Sequence, residues 1–223
     1  MTKPLVKSRI KVEPDSKKNG FDLMKDGIKN NPLYKKPYNT KKVEASNIIR
    51  ENCEDIGGSK IIPGQLIYFN YFEPKTKEDL EYYDATPLTI YFTRYNSKQG
   101  LRIIGINFHY FPPKIRYKVM AFIMKLFWPM FKKYWDKGPS SEISGFDYEF
   151  LIGELSKYNL QFCVRQYDPK LMSNVKIVPP KWFSTAAFTE GTFKKETRAQ
   201  ILSYWKNWSP NPSKKIINKN EKY

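Results

Sequence analysis

Between Leu88 and Tyr110 the chain reads LTIYFTRY, then NSKQG, then LRIIGINFHY, and it meets Pro112-Pro113 directly afterwards. Two runs of β-branched and aromatic residues on either side of a five-residue loop ending in Gly100 have the pattern of an antiparallel hairpin. Leu88, Ile90 and Phe92 fall on one face and Thr89, Tyr91, Thr93 and Tyr95 on the other, the period-two alternation of a half-buried strand. In the second run Ile104, Ile106, Phe108 and Tyr110 point inward. The proline pair ends the sheet but suits the first turn of a helix, where a missing N–H leaves no bond unmade. Strands must therefore give way to a helix at 112–113, and the fold class is α+β.

QLIYFNYF at 65–72 adds a third strand, so the expected core is a small antiparallel β-meander or an SH3-like partial barrel with packed helices. The helix from Pro113 should end at WDKGP (135–139). At about 100° per residue from Lys114, Ile115, Val119, Phe122, Ile123, Leu126 and Met130 fall at roughly 80–180°, and Lys114, Lys118, Lys125 and Lys132 at roughly 0–40°. The lysines thus form a stripe on the flank of an apolar face, and Pro129 is expected to kink the helix near Lys125. Further on, the pattern predicts a helix over 147–158, strands at 160–167 and 175–178, and a helix over 192–208. The first 60 residues, with short helical candidates at 21–28 and 43–51, read as an extended basic arm. Residues 61–208 read as a single domain and 209–223 as a basic flexible tail.

Lys and Arg number 39 and Asp and Glu 22, so the formal charge is 39 − 22 = +17. It is unevenly spread: +6 over 1–60, 0 over 61–110, +6 over 111–137, 0 over 138–187 and +5 over 188–223. The excess points to a polyanionic partner and fits equally a protein kept in solution by self-repulsion. The contacts expected for nucleic acid or an acidic partner are Lys35, Lys36, Lys41 and Lys42 in the arm, Lys114, Lys118, Lys125, Lys132 and Lys133 on the helix, and Lys214 and Lys215 in the tail. Tyr34, Tyr38, Tyr117, Trp128, Tyr134 and Trp135 lie among them, and aromatic faces beside lysines stack on unpaired bases while the lysines neutralise phosphates. The alternative is a solvated lysine face beside core aromatics.

Several kinds of chemistry are excluded or disfavoured. One histidine and two cysteines, Cys53 and Cys163, leave no structural zinc site, and the thiols are expected to be free. No phosphate-loop, dinucleotide or nucleophile-elbow motif is present. The longest apolar run, Val119–Met130, is broken by Lys125 and Pro129, and the first 20 residues lack the apolar stretch of a signal peptide, so no membrane contact and a cytoplasmic site of synthesis are expected. Glu78, Asp79, Glu81 and Asp84 cluster in a polar stretch that a metal-dependent nuclease would need, but a charged loop of this kind is more often solvated. His109 reads as a strand histidine bonded to a neighbour. No catalytic, cofactor-binding or metal residue is assigned, and no cofactor is expected.

FNYFEPKTKEDLEYYDATPLTIYF and GLRIIGINFHYFPPKIRYKVM together resemble a motif of tailed-bacteriophage proteins, especially those of large contractile-tailed phages similar to T4. The residues that carry it are Pro74, Lys75, Lys77, Leu80, Tyr82, Tyr83, Asp84, Pro87, Leu88, Gly105, Asn107, His109, Tyr110, Pro112 and Arg116. The resemblance implies a non-enzymatic virion structural protein of the neck, tail or baseplate, or a protector of the packaged DNA end. Its partners would be other phage structural proteins and DNA, in a symmetric multi-subunit assembly, located in the virion and in the host cytoplasm during assembly. It also implies that Tyr82, Tyr83, Asp84, Asn107, His109 and Tyr110 form a shared buried polar network bracing the meander. A free, non-specific nucleic-acid-binding protein of the infected cell is the alternative.

Overall fold

The hairpin is the middle of a larger antiparallel sheet. The computed structural model describes residues 31–55, 61–72, 83–98, 100–137 and 148–194. Its strands are β1 (Glu54–Asp55), β2 (Leu66–Tyr71), β3 (Tyr83–Asp84), β4 (Leu88–Ser97), β5 (Gly100–Asn107), β6 (Val164–Tyr167), β7 (Met172–Val178) and β8 (Phe193–Lys194). Its α-helices are α1 (Tyr38–Asn52), α2 (Pro113–Lys137), α3 (Tyr148–Ser156) and α4 (Phe183–Ala186). Six strands form one sheet in the order β1-β7-β2-β4-β5-β6, every pair antiparallel, while β3 and β8 make a separate ribbon. The β4–β5 ladder runs to Ser97↔Gly100, so the turn is shorter than the five residues the sequence suggests. Gly100 supplies the positive φ of 105° that this tight reversal needs.

The sheet is strongly curled. β6 and β7 stand on opposite sides of β2 in strand order, yet only Asp168–Leu171 joins them. Three strand steps from β2 to β6 would span about 14 Å in a flat sheet, whereas the rings of Phe69 and Tyr167 are 5.0 Å apart and those of Tyr71 and Tyr167 5.1 Å. The amide of Asp168 also donates to the Tyr71 hydroxyl at 3.1 Å. Ile67, Phe69, Tyr71, Tyr91, Ile103, Tyr167 and Val175 fill the concave side.

The convex side carries α2. Phe92 packs edge-on against Phe127 and Phe131 at 4.9 and 5.1 Å, within a core that also holds Leu66, Leu88, Ile90, Ile104 and Ile106. β4 is therefore buried on both faces from Leu88 to Thr93 and open only from Arg94 onward, which corrects the half-buried expectation. The alternation in its sequence separates two cores, not core from water. On α2 the buried residues are Arg116, Val119, Met120, Ile123, Met124, Phe127 and Phe131. On the wheel used above they centre near about 210°, so the lysines lie opposite the core, not beside it. The helix runs unbroken through Pro129, which is exposed, as is Lys125. The Lys125 carbonyl that a proline four residues on leaves unbonded faces the solvent side.

The described part of the 1–60 segment is not extended. A 3₁₀ turn at Pro32–Lys35 leads into α1, Leu33 and Ala45 pack on Phe188, Ile49 enters the main core, and β1 pairs with β7. α1 offers few buried side chains, and its sequence carries little periodic signal. Residues 1–30 and the tail 209–223 lie outside the described residues. Of the expected helix over 192–208, Phe193 and Lys194 are instead a strand paired with Asp84 and Tyr83, and the rest lies outside the described residues. Residues 161–163 form a 3₁₀ turn ahead of a four-residue β6, where a longer strand is expected from the sequence. Buried Cys163 donates its thiol to the Leu160 carbonyl there, and both cysteines are free. Among the described residues no helix is long and apolar enough to cross a membrane.

Candidate functional site

Two groups of polar residues stand out, one sealed in the fold and one on its surface. The sealed group gathers at the end of β5. Asn107 caps a 3₁₀ turn at Phe108–Tyr110 by accepting from the His109 amide at 2.9 Å. The turn swings the His109 ring inward, off the strand alternation. There its Nδ1 lies 2.8 Å from Asp84 Oδ2 and its Nε2 3.0 Å from Thr189 Oγ1. Asp84 accepts from the Asn107 side-chain amide at 3.1 Å and from the backbone amides of Thr86 and Thr192 at 3.0 Å each. Burial alone would raise the Asp84 carboxyl. The His109 ring, the Asn107 amide and the Thr86 amide outweigh it and hold the pKa below the ordinary value. Burial lowers the His109 pKa, against the pull of Asp84 and with the push of the Arg116 charge. Of the two ring nitrogens it is Nδ1 that gives its proton to the carboxylate.

Arg116 closes the cluster. It projects from the buried side of α2 and donates through Nε to the Phe111 carbonyl at 2.7 Å, through Nη2 to that of His109 at 3.4 Å, and through Nη1 to those of Ala187 and Thr189. A planar fork of five donors suits several carbonyls, and its charge is less strongly hydrated than an ammonium, so arginine can occupy this place where lysine cannot. Gly191 completes the packing, since a Cβ there would come within 2.9 Å of the His109 Cβ and 3.0 Å of Asp84 Oδ1.

Asp84, His109 and Thr189 stand in the relation of acid, base and hydroxyl that nucleophilic catalysis uses. All three are buried, and the Thr189 hydroxyl is also 2.7 Å from the Ala186 carbonyl, so no substrate carbonyl reaches it in this conformation. Asp84 is likewise unavailable to a metal ion, being surrounded by N–H donors, and among the described residues no group of three His, Cys, Asp or Glu side chains could hold one. Glu78, Asp79 and Glu81 lie outside the described residues. The arrangement ties the segment 186–192 to β3, β5 and α2.

The structure brings Asp84, Asn107 and His109 together. Tyr83 is buried in β3 beside them, Tyr110 carries the Arg165 guanidinium over its ring at 4.1 Å and meets the Phe193 ring edge-on at 5.6 Å, and Tyr82 lies outside the described residues. Thr189, Gly191 and Thr192 were not visible as partners from the sequence. Arg116 had a fainter signal: at about 200° on the helical wheel it lies just past the arc drawn above, between Ile123 and the further apolar residues Met120 and Phe127, and a cation there must find acceptors.

The surface group is spread along α1 and α2. Lys35 is exposed, Lys36 pairs with Glu44 at 2.6 Å, Lys42 pairs with Glu190, and Lys41 lies 5.0 Å over the Phe188 ring. Lys41 and Lys42 are thus partly absorbed in holding α1 to the segment 188–190. On α2, Lys125, Lys132 and Lys133 are exposed, with Lys132 3.3 Å from Asp136, and Lys118 is half-buried beside the Tyr117 ring. Lys118, Lys125 and Lys132 recur every seven residues, about 10 Å apart along the axis. Lys114 opens the same helix, and Lys214 and Lys215 lie outside the described residues.

The model of a protein family described as phage T4 terminal DNA protecting protein matches residues 18–132, just over half of the chain. The chain belongs to the phage T4 terminal DNA protecting protein family. No curated protein and no solved structure matched it. The family segment holds α1, β1–β5 and α2 as far as Lys132, so Asp84, Asn107, His109 and Arg116 all lie inside it. Their partners at 187, 189 and 192 lie beyond it. The lysine row on α2 is also within the family segment.

Proposed function

We propose that this chain is a non-enzymatic protector of phage DNA ends. The observation that carries the reading is the lysine row of α2, set opposite the core on the segment the family model matches. Lysines held there contribute nothing to the apolar core, and a row of them along a rigid helix suits the phosphates of a DNA backbone. The burial of Asp84, His109 and Thr189 supports a non-enzymatic role. The strand order β7-β2-β4-β5-β6, with a 3₁₀ turn joining β6 to β7 around a curled sheet, supports the SH3-like partial barrel as the scaffold.

In this reading the protein acts in the virion, at the neck, tail or baseplate, and its basic terminal segments add docking charge for DNA or neighbouring subunits. The test is a nuclease-protection assay: linear duplex DNA with and without the protein is exposed to an exonuclease acting from ends, and to an endonuclease. The expected outcome is slowed exonuclease digestion with endonuclease cutting elsewhere unchanged. Equal digestion with and without the protein, at low salt, removes the reading.

A further inference from the structure

Residues 85–135 contain nine Lys and Arg and no Asp or Glu, in a chain with 22 acidic residues. The five acidic residues that balance the block 61–110 all lie at 73–84, so the three cations of the β4–β5 ribbon, Arg94, Lys98 and Arg102, have no acidic residue in their own stretch of chain. Across the fold Arg102 is paired with Asp168 at 3.1 Å. Arg94 and Lys98 are exposed and lie in a stretch that, like the lysine row of α2, is matched to a polyanion.

The ribbon also outruns the sheet that supports it. Among the described residues β2 pairs with β4 only at Leu88–Ile90 and β6 with β5 only at Ile103–Ile106, so 94–97 and 100–102 have no third strand. Four residues project about 13 Å. A bulge between Tyr91 and Thr93 adds twist where the ribbon leaves the sheet. The register decides its two faces. Tyr95 pairs with Arg102 on the α2 side, where the Tyr95 hydroxyl donates to Gln166 Oε1 at 2.8 Å and Arg102 meets Asp168, so this face is braced against β6 and the turn after it. Arg94 pairs with Ile103 of the concave cluster and Asn96 with Leu101, so Arg94, Asn96 and Leu101 share the opposite face, with Lys98 in the turn. Asn96 is exposed as well, and Leu101 is 40% exposed.

We propose that the β4–β5 ribbon enters the major groove of duplex DNA. A two-stranded antiparallel ribbon fits that groove, about 12 Å wide and 8.5 Å deep, and is too broad for a minor groove of about 6 Å. Arg94 and Lys98 reach the phosphates of the groove walls. Asn96 and Leu101 face the base edges, an amide for their donors and acceptors and an apolar surface for thymine methyls. The brace on the α2 side holds the ribbon extended before DNA arrives, so little order has to be gained on binding. Because the open face points away from α2, this is a second contact, separate from the lysine row.

This inference rests on the end-protector reading, and the experiment separates the two. The full chain is bound to a blunt duplex of about 20 base pairs and treated with dimethyl sulfate, which methylates guanine N7 in the major groove and adenine N3 in the minor groove. The wild type is expected to shield guanine N7 and leave adenine N3 reactive. Arg94→Gln with Lys98→Gln should weaken binding about tenfold, lower the salt slope by about 2 and restore N7 reactivity at saturating protein. Lys125→Gln with Lys133→Gln should also weaken binding, yet keep the N7 shielding at saturation. Unchanged thermal midpoints check that these exposed substitutions leave the fold intact. Shielding of N7 that survives Arg94→Gln with Lys98→Gln overturns the ribbon contact, as does binding that shields adenine N3 or neither atom, and in each case the end-protector reading stands. No DNA binding at low salt overturns both.

Discussion

Arg116 and Lys118 are two residues apart on one helix and have opposite fates. Arg116 is sealed inside, its guanidinium shared among four carbonyls, whereas the lysine row that begins at Lys118 faces away from the core. A buried charge specifies structure because leaving it unpaired is so unfavourable, and it is thereby unavailable to a ligand. An exposed charge has little influence on the fold and is free to meet a partner. The two sets should therefore respond in opposite ways to substitution, with stability tracking the first and DNA binding the second.

The largest effect is expected at Asp84. Asp84→Ala removes the acceptor of four donors, and urea unfolding should show a loss of about 3–5 kcal/mol, a large share of the stability of a domain this size. Arg116→Lys keeps the charge but cannot serve the same carbonyls, and should lose about 2–3 kcal/mol; retention of wild-type stability would mean that charge alone matters there. Acid is the third probe. Both Asp84 and His109 have folded-state pKa values below their unfolded ones, so the unfolded chain binds more protons as pH falls. Stability should be flat above about pH 7, fall below about 6.5 through His109, and fall again below about 4 through Asp84. His109→Gln should abolish the first decline, and a stability that rises on acidification would show that the buried ring is already charged. Thr189→Val should cost about 1 kcal/mol and leave end protection intact, whereas loss of protection in a folded Thr189→Val protein would turn the brace into chemistry. The smallest stability effect belongs to Lys125→Gln with Lys133→Gln, within about 0.5 kcal/mol, although the salt slope of DNA binding should drop by about 2.

Much of the central block was legible because short-range rules decide it. β2, β4, β5 and the start of α2 follow from β-branched alternation and the Pro112-Pro113 step, with boundaries off by only a few residues. Local pattern could not reveal what covers each face. The alternation in β4 looks the same whether its second face meets water or the inside of a curled sheet, and the apolar face expected for α2 is turned from the buried one because Ile115, Phe122 and Leu126 are apolar but only half-buried at the rim, where Tyr158 partly covers Phe122. The Asp84–His109 pairing came through the family resemblance, whereas its partners Thr189 and Thr192, about a hundred positions further on, carry no signal of their own.

The position of β2 bears on how the chain comes to be folded at all. Leu66 pairs on one side with Ile90 and on the other with Val178. A nascent chain extending at about 5–20 residues per second therefore waits some seconds with one edge of β2 open. During that interval an apolar strand is exposed to any neighbour that offers a pairing partner, and in a cell making many copies at once the neighbour is another copy. A fragment ending near residue 132 would keep that edge open permanently and leave His109 without Thr189. The stretch that identifies the family is thus not a unit that stands alone.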